Sequence, residues 1–315
     1  YRADERTTVM LNVQYAFNEY SIANERFLGH AFSVPYHFLN PRVGVNVNLD
    51  ERWSAYASFG YTSREPRLRN LYAAEDAYFG ATPAFEADTA GGSVRYDFTR
   101  PLAKPERLLN LEAGARFRSG SAMLNANLYW MEFSDELVKS GEVDVFGNPV
   151  YGNAPRTRHI GAEVEWGVRL LPWLTAQGNA ALSSNTIVDF AAVDSLSGGT
   201  VYRTSLNGNP IAGFPDLLGN LRITAERQGA SLSALVKYVG PFPTDNFANA
   251  SNRNDAYTVV NLEALYTLPF GVGADLTVRG EVRNLFDRLY LQNGEGEAFF
   301  PAAERNYLIG LTLTL

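Results

Sequence analysis

Residues 159–170 read HIGAEVEWGVRL, and apolar and polar side chains change places at almost every step. Ile160, Ala162, Val164, Trp166, Val168 and Leu170 fall on one side of an extended chain. His159, Gly161, Glu163, Glu165, Gly167 and Arg169 fall on the other, because successive strand side chains point to opposite faces. The same period of two runs through 9–17, 109–117, 276–282 and 307–315, and it fits a strand far better than the i, i+3, i+4 spacing of a helix. Twelve strands are predicted, over 7–17, 42–49, 53–62, 108–118, 122–133, 158–170, 173–184, 217–227, 230–239, 257–268, 273–285 and 305–315. Most reach about ten residues, where soluble strands average roughly five or six, and ten is about what a tilted strand needs to cross a bilayer.

The connections point the same way. Short ones at 50–52, 119–121, 171–172, 228–229 and 269–272 alternate strictly with long ones at 18–41, 63–107, 134–157, 185–216, 240–256 and 286–304. Outer-membrane barrels have this arrangement, with short periplasmic turns and long extracellular loops. A further segment, SVRYDF at 93–98, also alternates. Counting it as a span would put the 119–121 turn and the 134–157 loop on the wrong sides, so it reads as local β structure within a loop. The expected fold is therefore all-β, an antiparallel transmembrane barrel wall of twelve spans. Its apolar face meets lipid and its charged face meets the lumen. Trp53, Tyr61, Phe117, Phe133, Trp173, Tyr238, Tyr266 and Tyr307 lie near strand ends, where they suit the interfacial girdles.

Composition narrows the alternatives. The chain has 315 residues, 46% of them hydrophobic, so disorder is excluded. No run of eighteen apolar residues offers a transmembrane helix. There is no cysteine, which removes disulfides and thiolate chemistry. A net charge of −7 speaks against a nucleic-acid partner. The first residues, YRADERTT, carry neither an initiator Met nor an apolar leader. The chain is thus expected to begin after a cleaved leader or within something longer.

Several motifs, in order, resemble the TonB-dependent outer-membrane receptor family. Arg64-Glu65-Pro66 followed by Leu71-Tyr72 ends the third strand, and Lys104-Pro105-Glu106 resembles the family's L-K-P-E before the next strand. NANLYWMEFSDELV resembles its aromatic-rich strand with an acidic end. Arg158, Gly161 and Glu163 match R-x-x-G-x-E, and Asn284-Leu285-Phe286-Asp287 with Tyr290 resembles N-L-F-D-x-x-Y before the final strand. The resemblance implies the C-terminal portion, over 1–315, of a barrel of about twenty-two strands. The family's plug and TonB-contacting segment have no counterpart in these residues. It further implies a bacterial outer-membrane location among lipid and lipopolysaccharide. Its partners would be the receptor's own plug, the TonB complex through the N-terminal part, and a scarce small-molecule nutrient, foremost a ferric siderophore. A passive twelve-stranded porin or autotransporter-type barrel is the competing reading.

Site residues follow as expectations. Glu112, Arg116, Glu163, Glu165, Arg169, Asp275, Arg279, Glu281 and Arg283 face the lumen, where they either contact a plug or are simply solvated. Tyr72, Tyr78, Phe79, Phe85, Tyr202, Phe242, Phe247, Phe299 and Phe300 either line a ligand mouth, since rigid aromatics bury area at low entropic cost, or pack the long loops against themselves. Arg64 and Arg67 either contact an anionic ligand or pair with Glu65, Glu75 or Asp76 to shape the loop. No cofactor is expected, and no enzyme. GxSxG, HExxH and P-loop signatures are absent, and His159 has no local serine. A metal site from Glu25, His30 and His37 matches no compact spacing.

Overall fold

The computed structural model describes residues 1–72, 83–88, 94–143, 149–195, 201–269 and 273–314. Twelve strands make one antiparallel sheet: β1 (Thr7–Ile22), β2 (Phe32–Asn48), β3 (Trp53–Arg64), β4 (Glu106–Arg118), β5 (Ala122–Val143), β6 (Pro149–Leu171), β7 (Leu174–Asp189), β8 (Leu217–Arg227), β9 (Ala230–Val239), β10 (Tyr257–Pro269), β11 (Asp275–Arg283) and β12 (Asn306–Thr314). Each pairs with its neighbours in sequence, so the sheet is an uninterrupted meander. The segment around 93–98 stays out of it, as predicted. Phe85–Asp88 and Arg95–Pro101 form a separate hairpin within the connection after β3, beside a single helical turn at Leu68–Leu71.

Five strands, β7 among them with its end at Asp189, are longer at the long-loop end than alternation suggested. β2 starts at Phe32 instead of 42, β5 runs to Val143 instead of 133, β6 starts at Pro149 instead of 158, and β1 continues to Ile22. Two of the expected long loops are therefore mostly tall hairpins. Pro35 and Pro41 hid the start of β2. Residues 32–41 pair only with β1, while pairing with β3 begins at Arg42, and proline is tolerated where one side of a strand is unpaired.

Register assigns the faces. Across β3, β4, β5 and β6 the outward rows are Trp53–Phe117–Leu124–Trp166, Ala55–Ala115–Ala126–Val164, Ala57–Ala113–Leu128–Ala162 and Phe59–Leu111–Trp130–Ile160. The next two are Tyr61–Leu109–Glu132–Arg158 and Ser63–Arg107–Ser134–Arg156. From the Trp53 row to the Arg158 row is eight steps, about 26 Å along a strand at ~3.3 Å per residue. At a tilt of about 40° that is about 20 Å along the membrane normal, close to the height of a barrel's apolar band. Trp53 and Phe117, with ring centroids 4.9 Å apart, mark its lower rim. Phe133 does not belong to a girdle: it faces the lumen and packs on His159, ring centroids 5.3 Å apart.

Two inward tyrosines explain strand glycines that would otherwise weaken the sheet. The Tyr56 ring covers Gly114, and the Tyr129 ring covers Gly161. A Cβ at Gly161 would collide with the Tyr129 hydroxyl and the Leu182 carbonyl. At the short-turn end, Asp50 accepts the backbone N–H groups of Arg52 (2.7 Å) and Trp53 (2.8 Å), which hold its carboxyl below the usual range.

β1 and β12 each pair on one side only, so among the described residues the sheet does not close on itself. Both edges carry large exposed apolar side chains, Leu11 and Tyr15 on one and Ile309 and Leu311 on the other.

Trp166 sits in the lowest outward row that β3 to β6 share, with Val168 and Leu170 below it; the middle of the band is the Leu128–Ala162 row. Leu128→Arg should therefore impair assembly of the full barrel by roughly 2–4 kcal/mol, and Trp166→Arg by less. Urea-unfolding midpoints in bilayers check this, and equal effects would contradict the assigned depth.

Candidate functional site

The inward face divides into a lower polar belt and an upper rim lined by infolded loops. In the belt, the Arg116 guanidinium lies 4.5 Å from the centre of the Tyr56 ring, whose hydroxyl donates to Asn127 Oδ1 at 2.9 Å. Asn125 donates to Glu165 at 3.0 Å, Asn127 to Glu163 at 3.4 Å, and Asn110 to Glu112 at 2.6 Å. Tyr56, Arg116, Asn125, Asn127, Glu163 and Glu165, together with Asn179, surround a polar depression of about 400 Å³. Glu163 and Glu165 form no ion pair among the described residues; their partners there are neutral amides. Farther round the wall, Arg279 bridges Glu263 (2.5 Å) and Glu281 (3.3 Å), and Arg283 closes on Glu281 at 2.7 Å. Arg169 and Asp275 stand on the same face near the short turns, in register with Thr175 and Thr314. All of the expected lumen residues thus lie on one face.

Above the belt, loops fold inward. The connection between β3 and β4 packs Leu71, Tyr72 and Phe85 against Phe32, Val34 and Tyr36 on the inner side of β2. The β7–β8 connection brings Leu206 and Ile211 against Val138, Ala154 and Ile187. Phe242 joins Val239, Tyr257 and Val259. Tyr72, Phe85 and Phe242 are consequently buried within these clusters, at 2, 2 and 4% exposure. Tyr202 and Phe247 are exposed, as are Arg67 and Phe300, while Phe299 is half-buried. Tyr78 and Phe79 lie outside the described residues, as do Glu75 and Asp76.

Arg64 pairs with Glu106 at 2.8 Å, the glutamate of the Lys104-Pro105-Glu106 motif, and Glu65 instead accepts from Asn18 at 2.9 Å. The Glu25, His30 and His37 side chains do not converge. Glu25 accepts three backbone N–H groups, from Phe27, Leu28 and Gly29. His30 is ringed by Tyr72, Tyr96 and Phe98, and His37 bonds the Tyr15 hydroxyl at 2.8 Å.

Two polar constructions were not legible in the sequence. One is centred on His159, whose Nδ1 faces Asn185 Oδ1 at 2.7 Å and whose Nε2 faces Glu136 Oε2 at 3.1 Å. Thr157 Oγ1 donates to the same carboxylate, and Asn185 Nδ2 donates to Ser183 Oγ at 2.9 Å. With the Asn185 amide on one ring nitrogen and the Glu136 carboxylate on the other, His159 ties β5, β6 and β7 together. Ser183 does stand near it, but the Asn185 amide separates the two side chains, and the arrangement is not a nucleophile with its base. The other construction is Asn246, buried in the β9–β10 connection. It donates to the Lys139 carbonyl at 2.6 Å, accepts from Ala212 N at 2.8 Å, and takes the Asn209 side chain on its own carbonyl at 2.9 Å. The Lys139 ammonium continues to the fully buried Glu295 at 2.7 Å. Three loops and the top of β5 are thus laced together over one part of the mouth.

Removing one partner of a buried pair leaves the other uncompensated. His159→Leu is expected to cost roughly 3–5 kcal/mol, and Asn246→Ala roughly 1–3 kcal/mol. Asn246→Ala should loosen loops only, giving faster proteolytic nicking within 240–256 at an unchanged barrel melting temperature. A barrel destabilised by Asn246→Ala would contradict this division.

Comparison with known proteins agrees with this architecture. Among solved structures, the siderophore receptor PiuA from Acinetobacter baumannii superposes with a TM-score of 0.69 at 15% identity, over 97% of this chain and 40% of its own. The ferric yersiniabactin uptake receptor FyuA from Yersinia pestis gives 0.64 at 16% identity, over 99% and 43%. The copper transporter OprC gives 0.69 at 16% identity, over 97% and 44%. At such identities the likeness shows the fold, and the chain spans less than half the length of each. The model of the family described as TonB dependent receptor-like, beta-barrel matches residues 1–285. This chain therefore belongs to the TonB-dependent receptor β-barrel family, outer-membrane proteins of Gram-negative bacteria.

Proposed function

We propose that this chain is the C-terminal wall of a TonB-dependent receptor that captures a ferric siderophore at its extracellular mouth and imports it with TonB-coupled energy. The open sheet carries the reading. Twelve strands with unpaired edges at β1 and β12 need further strands in a bilayer, and the similar solved chains are more than twice as long. A passive twelve-stranded porin would need β1 and β12 joined, and among the described residues they do not pair. Siderophore as cargo draws on PiuA, described as a siderophore receptor, and on FyuA, described as a ferric yersiniabactin uptake receptor.

In this reading the polar belt holds the plug. Glu163 and Glu165, left with amide partners only, offer acceptors to plug cations, while the Glu263–Arg279–Glu281–Arg283 chain presents both signs of charge. Tyr202, Phe247 and Arg67 are the mouth residues free to meet cargo, and Tyr72, Phe85 and Phe242 hold their loops in place.

Uptake of radiolabelled ferric siderophore into cells carrying the full-length receptor tests the proposal. A protonophore should abolish uptake; uptake that persists would favour passive permeation. Tyr202→Ala with Phe247→Ala should raise KM about fivefold, near 1 kcal/mol, the scale on which truncation at a binding surface begins to be felt. Unchanged kinetics would remove those residues from the mouth.

A further inference from the structure

The inner face at the top of β5, β6 and β7 carries a histidine, the side chain that changes charge between about pH 5 and 8. His159 is buried between two rings, Phe133 at 5.3 Å and Phe214 at 5.1 Å between centroids. Phe133 belongs to β5, whereas Phe214 belongs to the connection between β7 and β8. The two nitrogens of His159 meet unlike partners. Nε2 faces Glu136 Oε2 at 3.1 Å. An ionised carboxylate only accepts, so this nitrogen keeps its proton in both charge states. Nδ1 is therefore the position that gains or loses a proton, and it faces the side-chain amide of Asn185.

An amide can answer either state, because its oxygen accepts, its nitrogen donates, and the two exchange places with little change of shape. With His159 charged, Nδ1–H donates to Asn185 Oδ1 at 2.7 Å, and Asn185 Nδ2 donates to Ser183 Oγ at 2.9 Å. The Ser183 hydroxyl is then left to donate to the Pro215 carbonyl at 3.5 Å. With His159 neutral, Nδ1 needs a donor. The amide turns over, its oxygen faces Ser183, and the hydroxyl proton is drawn to Asn185 and away from Pro215. Charge also leaves the imidazole beside Phe214, which ends a cation–π contribution. Both contacts that change are made by neighbouring residues of the β7–β8 connection.

We infer that His159, Asn185 and Ser183 form a proton-operated relay that clamps the β7–β8 connection to the wall when His159 is charged and loosens it when His159 is neutral. Ile211 N donates to the Asn185 carbonyl at 3.0 Å and Ser183 N to the Asp216 carbonyl at 2.8 Å in either state. The relay thus adjusts the connection and does not detach it. That connection carries the hairpin with the exposed Tyr202, and it lies at the long-loop end, so the acidity it answers to is that outside the cell. The other titratable groups around the relay have roles of their own. The Tyr129 hydroxyl bonds Ser183, Lys139 stands beside Gly213 and pairs with Glu295, and the Asp216 side chain is exposed. Beyond Glu136, Glu106 pairs with Arg64. Neither cargo nor energy coupling enters the inference.

Hydrogen–deuterium exchange of the purified full-length receptor at about pH 5.5 and about pH 8, either side of the histidine range, tests the relay. After correction for intrinsic rates, residues 206–216 should be about fivefold better protected at the lower pH, the scale of one hydrogen bond. Residues 240–256, laced by Asn246, should not respond. His159→Gln should remove the difference. Equal protection of 206–216 at the two pH values in wild type, or a difference that survives His159→Gln, would overturn the relay. If His159→Gln does not assemble, Ser183→Ala serves instead, since it cuts the relay before Pro215 and keeps the histidine. It should at least halve the difference, and an unaltered difference there would equally overturn the relay.

Discussion

Inside hydrocarbon a backbone N–H or C=O group has no water to bond with, and leaving it unpaired costs several kcal/mol. Every strand in the bilayer must therefore be paired along both sides. That requirement accounts for the uninterrupted meander of twelve strands, in which each connection joins immediate neighbours. It also makes β1 and β12 the two places where the described sheet is incomplete. Beyond Val9, which exchanges backbone hydrogen bonds with Tyr1, β1 offers an unpaired ladder, as do the nine residues of β12, and both do so with bulky apolar side chains exposed beside them. Soluble proteins defend edges with charge, bulges or short strands. Neither edge here is defended in that way, which is what a seam awaiting further strands looks like.

Pairing also confines the chemistry. A strand shared between lipid and lumen has one face for each, so polar function collects on the inner face and at the rims. The two halves of the inner face then diverge for a physical reason. In the lower half no loop among the described residues packs on the wall, and side chains satisfy one another in the Asn–Glu and Arg–Glu sets. In the upper half the long connections fold back, and burial against them favours the apolar clusters around Phe32, Ile187 and Tyr257. The mouth is thus a packed structure with its own small cores, laced by Asn246 and the Lys139–Glu295 pair.

This division explains what the sequence could reveal. Strand number, parity, the faces and the exclusion of 93–98 all rest on a period of two and on the alternation of turn lengths, which are local and repeated many times. Strand ends above the bilayer have no such signal. Pro35 and Pro41 argued against a strand that an unpaired side allows, and Asp135, at positive φ, interrupts alternation within β5. Loop aromatics stay ambiguous in the sequence because a residue that packs a loop and one that grips a ligand need the same rigid apolar surface. Tyr72, Phe85 and Phe242 went to packing. Asn246 bonds a carbonyl 107 residues away, and His159 completes its partners only when three strands are in register. Neither has any local signature.

Alternation finally gives the wall a separation of roles at single-residue resolution. Along β6, Arg158 and Ile160 address the outer leaflet, while His159 and Gly161 address the loops and the neighbouring strand. Glu163 faces the belt, and Ala162 and Val164 on either side of it face lipid. Moving one step along the strand changes the partner entirely, though the backbone pairing is identical. Evolution of cargo, plug fit and lipid contact can therefore proceed on the same strand without mutual interference, provided that no insertion shifts the register. A one-residue slip in β6 would turn Glu163 and Glu165 into hydrocarbon and Trp166 into the lumen. That cost is what keeps the pattern of residues 159–170 so regular.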